Sequence, residues 1–365
     1  MNDALQILKE NDASYYLGSY SALNLYFGKK KQFSSYNTYI VTEIPLFELA
    51  RYFEDLEYPG LPLIDASLTR GEKRFLFRCI DKQVNPLKGP FAVLEFLFNP
   101  YTNTFFDPNG IYYSLREKKL KIESNNFPRW VTLFEAAKLI SNYHYEILDT
   151  APYRINLEIP PLECQRELLI GILSGEHPQK GLKLLLDSGF IELCWPEIFS
   201  MTKTKHSKDF HPEGNVWEHS LEVLKYRKQF DLGLSLALFL HDIGKPFSIS
   251  KGEKKFYLHS NTGAKIAREF LTRLKFSPAL IERVTFLIKY HMLPHALSKI
   301  PIYRTEKIMD SPLFPLLLEI YRADLASTYN SVTGYYNACR IYQNYMREKS
   351  NPFKNIKHRF STSPG

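Results

Sequence analysis

The stretch FLHDIGKP at residues 239–246 places a histidine and an aspartate side by side at the end of an apolar run. Such a run belongs in a core, and a buried carboxylate without a partner is costly. The fold must therefore bring a partner or a metal ion to it. Other segments carry residues of the same kind on apolar faces. Asn215 caps NVWEHSLEVLKY, with Glu218 at the capping-box position. On that helix His219 falls three residues after Val216 and four before Val223, so it faces the core. Ser277-Pro278 opens SPALIERVTFLIKYHM, whose stripe Leu280, Val284, Leu287 leads to His291. Ser311-Pro312 opens SPLFPLLLEIYRADLAS, where Leu317 and Ile320 lead to Asp324. Taken singly, a core-facing histidine is more often a hydrogen-bonded core residue, and a helical aspartate a cap or a solvated charge. Several such residues on separate apolar faces, with an adjacent His-Asp pair, are harder to explain one by one. Histidine and carboxylate ligands suit Zn, Mn, Fe or Ni; Mg prefers more oxygen.

The chain has 365 residues, 44% of them hydrophobic and 24% charged, which is globular composition and enough for two or three domains. No apolar run approaches the ~20 residues that cross a bilayer, so no membrane partner is expected. The acidic, amphipathic start MNDALQILKENDAS is unlike a signal peptide. Cys79, Cys164, Cys194 and Cys339 lie far apart with no CxxC pair. That spacing suggests free thiols in a cytoplasmic protein and no structural zinc. The formal net charge of +8 favours polyanionic partners without requiring them.

Residues 1–125 read as mixed α/β. YNTYIVTEI and FAVLEFLF are strand-like, PLFELARYFEDL has helical periodicity, and NPYTNTFFDPNG carries turn signals. From about residue 130 the pattern is helical. The expected division is 1–125, a helical region 126–205, an all-α domain 206–347 and a basic tail 348–365, an α+β chain overall.

HPEGNVWEHSLEVL, LALFLHDIGKP, LHSNTGAKIAREFLTRLKFS and LIKYHM resemble the HD domain of bacterial tRNA nucleotidyltransferases and poly(A) polymerases. The order H…HD…H…H…D is complete in His219, His241-Asp242, His259, His291 and Asp324, over about 110 residues. The resemblance implies that His219, His241, Asp242 and Asp324 hold one divalent ion. His259 and His291 would hold a second, with Asp242 bridging. The ion would be Mn, Ni, Fe, Zn or Mg, and His241, Asp242 and Lys245 would carry the catalysis. Lys245 either meets a phosphate oxygen or is solvated. His211 and His295 are candidate general acids or outer hydrogen-bonding groups. His259 is expected just before a helix starting near Thr262 or Gly263.

The likeness extends to the first half, where the family's polymerase-β-like catalytic domain and helical neck are expected. YYLGSYSALNLYFG resembles the segment GGxxRD, keeping Gly18 but with Ser19 for the second glycine and Ala22-Leu23 for Arg-Asp. In NTYIVT, Asn37 and Tyr39 stand where two aspartates hold magnesium ions, and no Asp or Glu occurs between Asp12 and Glu43. Lys88-Gly89-Pro90 replace Arg-Arg-Asp, while Phe91 and Asp107-Pro108 persist. In the neck, Pro128-Arg129 and Thr132 replace the Glu-Asp and Arg that read the incoming base. Scaffold positions survive where metal, phosphate and base contacts are gone, as in a domain kept for shape. The reading is a metal-dependent phosphohydrolase or phosphodiesterase acting on nucleotides or RNA-end phosphates. Two alternatives stand: a non-catalytic RNA- or nucleotide-binding protein with a structural metal, and an active tRNA nucleotidyltransferase. Lys29-Lys30-Lys31 is a candidate RNA contact or a solvated loop.

Overall fold

The protein is described from a computed structural model, for residues 4–28, 37–71, 73–81, 87–107, 110–122, 126–147, 153, 158–205, 214–228, 230–248, 258–328 and 331–350. Lys29–Lys31, Pro108, His211 and the tail from residue 351 lie outside the described residues. The chain packs as two compact units, Met1–Pro196 and Glu197–Gly365.

The first unit opens with α1 (Ala4–Glu10), β1 (Tyr15–Gly18), α2 (Ser19–Tyr26), β2 (Asn37–Thr42), α3 (Leu46–Tyr52), β3 (Ala66–Arg70) and β4 (Lys73–Cys79). It continues with β5 (Leu97–Asn99), β6 (Thr104–Phe106), α4 (Tyr112–Glu117) and β7 (Lys119–Leu120). Then come α5 (Arg129–Tyr143), β8 (Glu146–Ile147), α6 (Leu162–Leu173), α7 (Pro178–Asp187) and α8 (Phe190–Cys194). Six strands form one mixed sheet in the order β3-β4-β2-β1-β5-β6. β2 runs parallel to β4, with Asn37 opposite Arg74 and Tyr39 opposite Leu76; the other pairings in this sheet are antiparallel. One face of the sheet closes on α1 and α3 through Leu8, Leu49, Phe53, Phe75 and Phe77. Gly18 is required where it stands, since a Cβ there would lie 2.5 Å from Val41 Cγ2. The next residue, Ser19, adopts φ +49°, a left-handed conformation that glycine takes more readily.

FAVLEFLF does not form the strand its composition suggests. Ala92–Glu95 is a 3-10 turn, and only Leu97–Asn99 joins the sheet. The buried Glu95 carboxylate accepts the Gly89 backbone N–H at 2.9 Å, a local bond that competes with the ladder. α5 is buried on almost all its faces, as its Trp-Val-Thr-Leu-Phe-Glu-Ala-Ala run allows.

The second unit is helical: α9 (Pro196–Lys203, its first residue belonging to the first unit), α10 (Val216–Lys225), α11 (Leu232–Leu240), α12 (His259–Arg273), α13 (Pro278–Tyr290), α14 (Leu293–Ala296), α15 (Ile302–Met309), α16 (Phe314–Ala326) and α17 (Thr333–Lys349). Asn215 caps α10 by accepting the Glu218 N–H at 2.9 Å. α13 begins at Pro278 after Ser277, as its Ser-Pro predicts, but its buried stripe is Ile281, Val284, Leu287 and Ile288, with Leu280 only half-buried. Ser311-Pro312 does not open a helix directly. The Ser311 hydroxyl accepts the Leu313 N–H at 3.2 Å in a turn, and α16 starts at Phe314. α12 starts at His259 itself, earlier than its sequence suggests, because Leu258 turns the chain at φ +62°.

Candidate metal centre

Five helices of the second unit deliver the side chains. His219 comes from the middle of α10, His241 and Asp242 from the end of α11, His259 from the first residue of α12, His291 from the end of α13 and Asp324 from α16. The four candidate histidines meet around Asp242. Its Oδ2 lies 3.2 Å from His241 Nε2 and 3.8 Å from His219 Nε2. Its Oδ1 lies 3.4 Å from His259 Nε2 and 4.0 Å from His291 Nε2. Asp324 Oδ1 stands 3.0 Å from His219 Nε2. The donors fall into two groups that share the aspartate, His219–His241–Asp242 and Asp242–His259–His291.

His219, His241, Asp242 and His291 are buried, whereas the side chains of His259 and Asp324 are 13% and 30% exposed. The cluster therefore has a dry floor and an open rim. The turn after α11 explains how His259 arrives. A Cβ on Gly244 would lie 2.1 Å from the His259 carbonyl oxygen and 2.5 Å from the Gly263 nitrogen. Only glycine lets the HDIGK turn rest on the first turn of α12. Gly244 and Gly263 belong to the site's construction and were not singled out from the sequence. The signal available was a glycine two residues after the His-Asp pair and another four residues after His259.

Burial pushes the Asp242 carboxyl up, but the charges of His241 and Lys245 outweigh it and hold the group well below the usual carboxylate range. Burial likewise opposes ionisation of Asp324, and its hydrogen bond with His219 reverses the balance, so that group is also shifted down. Burial, reinforced by the neighbouring His241, pushes His291 down to about 3. These carboxylates are anionic and His291 is neutral at neutral pH.

The hydrogen bonds fix tautomers. His241 Nδ1–H donates to the Leu238 carbonyl at 2.8 Å and His291 Nδ1–H to the Ile288 carbonyl at 2.7 Å, since a carbonyl only accepts. Their Nε2 atoms then point into the centre. His291 Nε2 meets His259 Nε2 at 3.3 Å, and His241 Nε2 meets a carboxylate oxygen. A divalent cation among these nitrogens and the Asp242 carboxylate would be bound by both kinds of donor. Backbone carbonyls orienting imidazoles in this way are the usual outer support of a metal-bound histidine. The donor set thus fits one or two divalent ions of the Zn, Mn, Fe or Ni kind.

Residues 216–324, which span these side chains, match the family model described as "HD domain". The second unit carries an HD domain. The chain also resembles bacterial tRNA nucleotidyltransferases. It is 31% identical over 207 residues to the A-adding tRNA nucleotidyltransferase of Deinococcus radiodurans, covering 51% of this chain and 47% of that protein. It is 30% identical over 142 residues to the CC-adding tRNA nucleotidyltransferase of Thermus thermophilus, covering 37% and 32%. The chain thus spans half or less of the length of these curated relatives. A solved structure of the Bacillus stearothermophilus CCA-adding enzyme in complex with CTP shares the fold. Its TM-score is 0.54 at 14% identity, with 99% of this chain and 87% of that one covered.

Beside these candidate ligands, Lys245 is not a solvated side chain, because its ammonium pairs with Asp242 Oδ2. His295 Nδ1 lies 3.4 Å from the Tyr321 hydroxyl.

The first unit holds a cavity of about 100 Å³, lined among others by Ser19, Tyr20, Asn37, Tyr39, Trp130 and Glu135. Asn37 and Tyr39 share a face of β2, and Tyr39 packs on Tyr20 with ring centroids 5.3 Å apart. Each carboxylate of the lining already has partners. Glu135 accepts from the Tyr20 hydroxyl at 2.5 Å and pairs with Lys138, and Glu167 pairs with Arg74 at 2.7 Å. Among the described residues, no group of three metal-ligating side chains lies in this cavity.

Proposed function

We propose that the HD domain is a metal-dependent phosphohydrolase or phosphodiesterase acting on nucleotide or RNA-end phosphates. The observation that carries this reading is the convergence of four histidines on one buried aspartate. His219, His241, Asp242 and Asp324 would hold one ion, and His259 and His291 a second, with Asp242 shared. Divalent ions in such a donor set supply activation of water and charge stabilisation at a phosphoryl oxygen. The protein's own part is threefold. The buried floor excludes bulk water from one side of the site. The Leu238 and Ile288 carbonyls hold two imidazoles in the tautomer that presents Nε2. Lys245, 12% exposed beside Asp242, adds a cation that can turn to a substrate phosphate once a metal shares the carboxylate.

The competing reading is the activity in the relatives' names, nucleotide addition to tRNA. Against it stand Asn37 and Tyr39 at the two carboxylate positions and the paired state of Glu135 and Glu167. We infer that the first unit no longer transfers nucleotides. Its aromatic-lined cavity favours a retained binding role for nucleotide or RNA over any metal-dependent chemistry there.

The test is a panel on purified protein. Bis(p-nitrophenyl) phosphate and 2′,3′-cyclic nucleotides are supplied with Mn²⁺, Ni²⁺ or Mg²⁺, alongside tRNA with ATP, CTP and Mg²⁺. Hydrolysis that disappears in His241→Ala, without nucleotide addition to tRNA, is the expected result. Addition abolished by substitutions lining the first unit's cavity would overturn it.

A further inference from the structure

A second cluster of metal-ligating groups lies in the first unit, where the end of α5 meets the start of α7. His144, Glu176 and His177 each bring one donor atom within 4.8 Å of the others. His144 Nε2 is 3.9 Å from Glu176 Oε2, and the two imidazole rings lie 4.0 Å apart, centroid to centroid.

Backbone packing holds this cluster together. Gly175 presses against α5 so closely that a Cβ would lie 2.4 Å from the Ser141 carbonyl oxygen, and one on Gly181 would lie 2.1 Å from Ser141 Oγ. The His177 N–H donates to that same Ser141 carbonyl at 2.9 Å. His144 ends α5 at φ +62°, so its side chain leaves the helix at a set angle. The loop at 175–177 and the end of α5 are thereby pinned to each other. None of the three residues lines the first unit's cavity, and none belongs to the HD domain.

We propose that His144, Glu176 and His177 form an independent surface site for a divalent transition-metal ion of the zinc, nickel or copper type. Two imidazoles and a carboxylate match the nitrogen and oxygen preference of these ions. Three protein donors leave at least one position for water or an anionic ligand. With bonds of ~2.0–2.1 Å, tetrahedral donors stand roughly 3.3 Å apart, so the present groups need to close by about an ångström. The His144 and Glu176 side chains are 40% and 46% exposed and can rotate without disturbing the core. An ion there would clip the C-terminus of α5 to the entry of α7.

The experiment is equilibrium dialysis of the full chain against micromolar ZnCl₂, followed by metal analysis. It is repeated for His144→Gly, which suits the left-handed backbone, and for Glu176→Gln. Either substitution should remove one zinc ion per chain, or weaken that ion by about 10–100-fold, the scale on which disturbed metal sites lose affinity. Diethylpyrocarbonate labelling of His144 and His177, read by mass spectrometry, should slow when zinc is added to the unmodified chain and not to Glu176→Gln. A His241→Ala/Asp242→Ala background, which removes the donor shared by both HD-domain groups, separates the two sites, because the ion that survives it should vanish only on adding His144→Gly. Equal zinc content in the chain and both variants, with labelling indifferent to zinc, would mean an ordinary surface ion pair and overturn the proposal.

Discussion

In the cavity of the first unit every lining carboxylate already has its cation. Glu135 holds Lys138 and Glu167 holds Arg74. In the centre of the second unit one carboxylate is faced by four histidines and a lysine. Both arrangements satisfy the rule that a buried charge needs partners. The first does so with fixed internal cations, which stabilise the fold and leave nothing for an ion to bind. The second sets four imidazoles, side chains that can also bind a metal, around its carboxylate. A polar pocket is therefore not in itself a reactive one. Both carboxylate sets hold a resident cation; what separates the two is the ring of imidazoles that only the second gathers among the described residues.

The widest gap between the regions should appear on removing donors. His241→Ala combined with Asp242→Ala should abolish bound metal in the HD domain and all phosphoester hydrolysis. That loss exceeds the ~100-fold expected when only an outer hydrogen-bond partner of a metal site is lost. Full metal content in the double variant would erase the comparison.

Core truncations should then divide by unit. Phe77→Ala, a fully buried side chain of the first unit, should cost about 3–5 kcal/mol in denaturant unfolding. It should leave metal content per folded chain unchanged. Leu287→Ala, one turn before His291, should cost about 2–5 kcal/mol and also weaken metal binding, because it loosens the stripe that aims the histidine. Equal effects of both on metal content would contradict the separation.

Burial without chemistry should also show in the first unit's thiols. The Cys79 thiol is pushed up to about 12 by burial, with the nearby Asp65 adding to the effect. Alkylation needs the thiolate, so at pH 8.5 iodoacetamide should modify Cys79 roughly a thousandfold more slowly in the folded than in the unfolded chain. The sign for stability follows. The folded state keeps its proton above the unfolded thiol pKa of about 8.5, so this contribution is lost as pH rises from there towards about 12. Mass-spectrometric rates that match in both states would refute the burial. The smallest effect belongs to α10, the helix that carries His219. Asn215→Ala removes the bond to the Glu218 N–H and should cost about 1 kcal/mol in unfolding, with little change in metal content.

None of the four cysteines is in a disulfide, as their spacing implied. Among the described residues no helix is long and apolar enough to cross a membrane. Both were readable from composition and spacing, because each depends on chain-local facts. The helices of the second unit were readable for the same reason. His219 and Asp324 sit where an apolar period of 3.6 puts them, and Asn215 and Pro278 mark helix starts. FAVLEFLF misled, because the Glu95 carboxylate meets Gly89 and bends the run into a turn, a side-chain bond that β-propensity does not encode. The start of α12 was hidden in the same way, since nothing in the sequence announces that Leu258 turns left-handed.

The sequence by itself determined the identity of the donors, their apolar helical faces and their order along the chain. It also determined that the strand β2 carries an amide and a phenol, Asn37 and Tyr39. Tertiary structure alone decided that His259 and His291 stand 3.3 Å apart across 32 residues, and that Asp242 faces all four histidines. It also decided that Lys245 turns inward and that the first unit's carboxylates are already paired. Periodicity reports which way a residue faces on its own helix. Distances between helices depend on close approaches such as Gly244 against His259, and those are set by the packing of the whole unit.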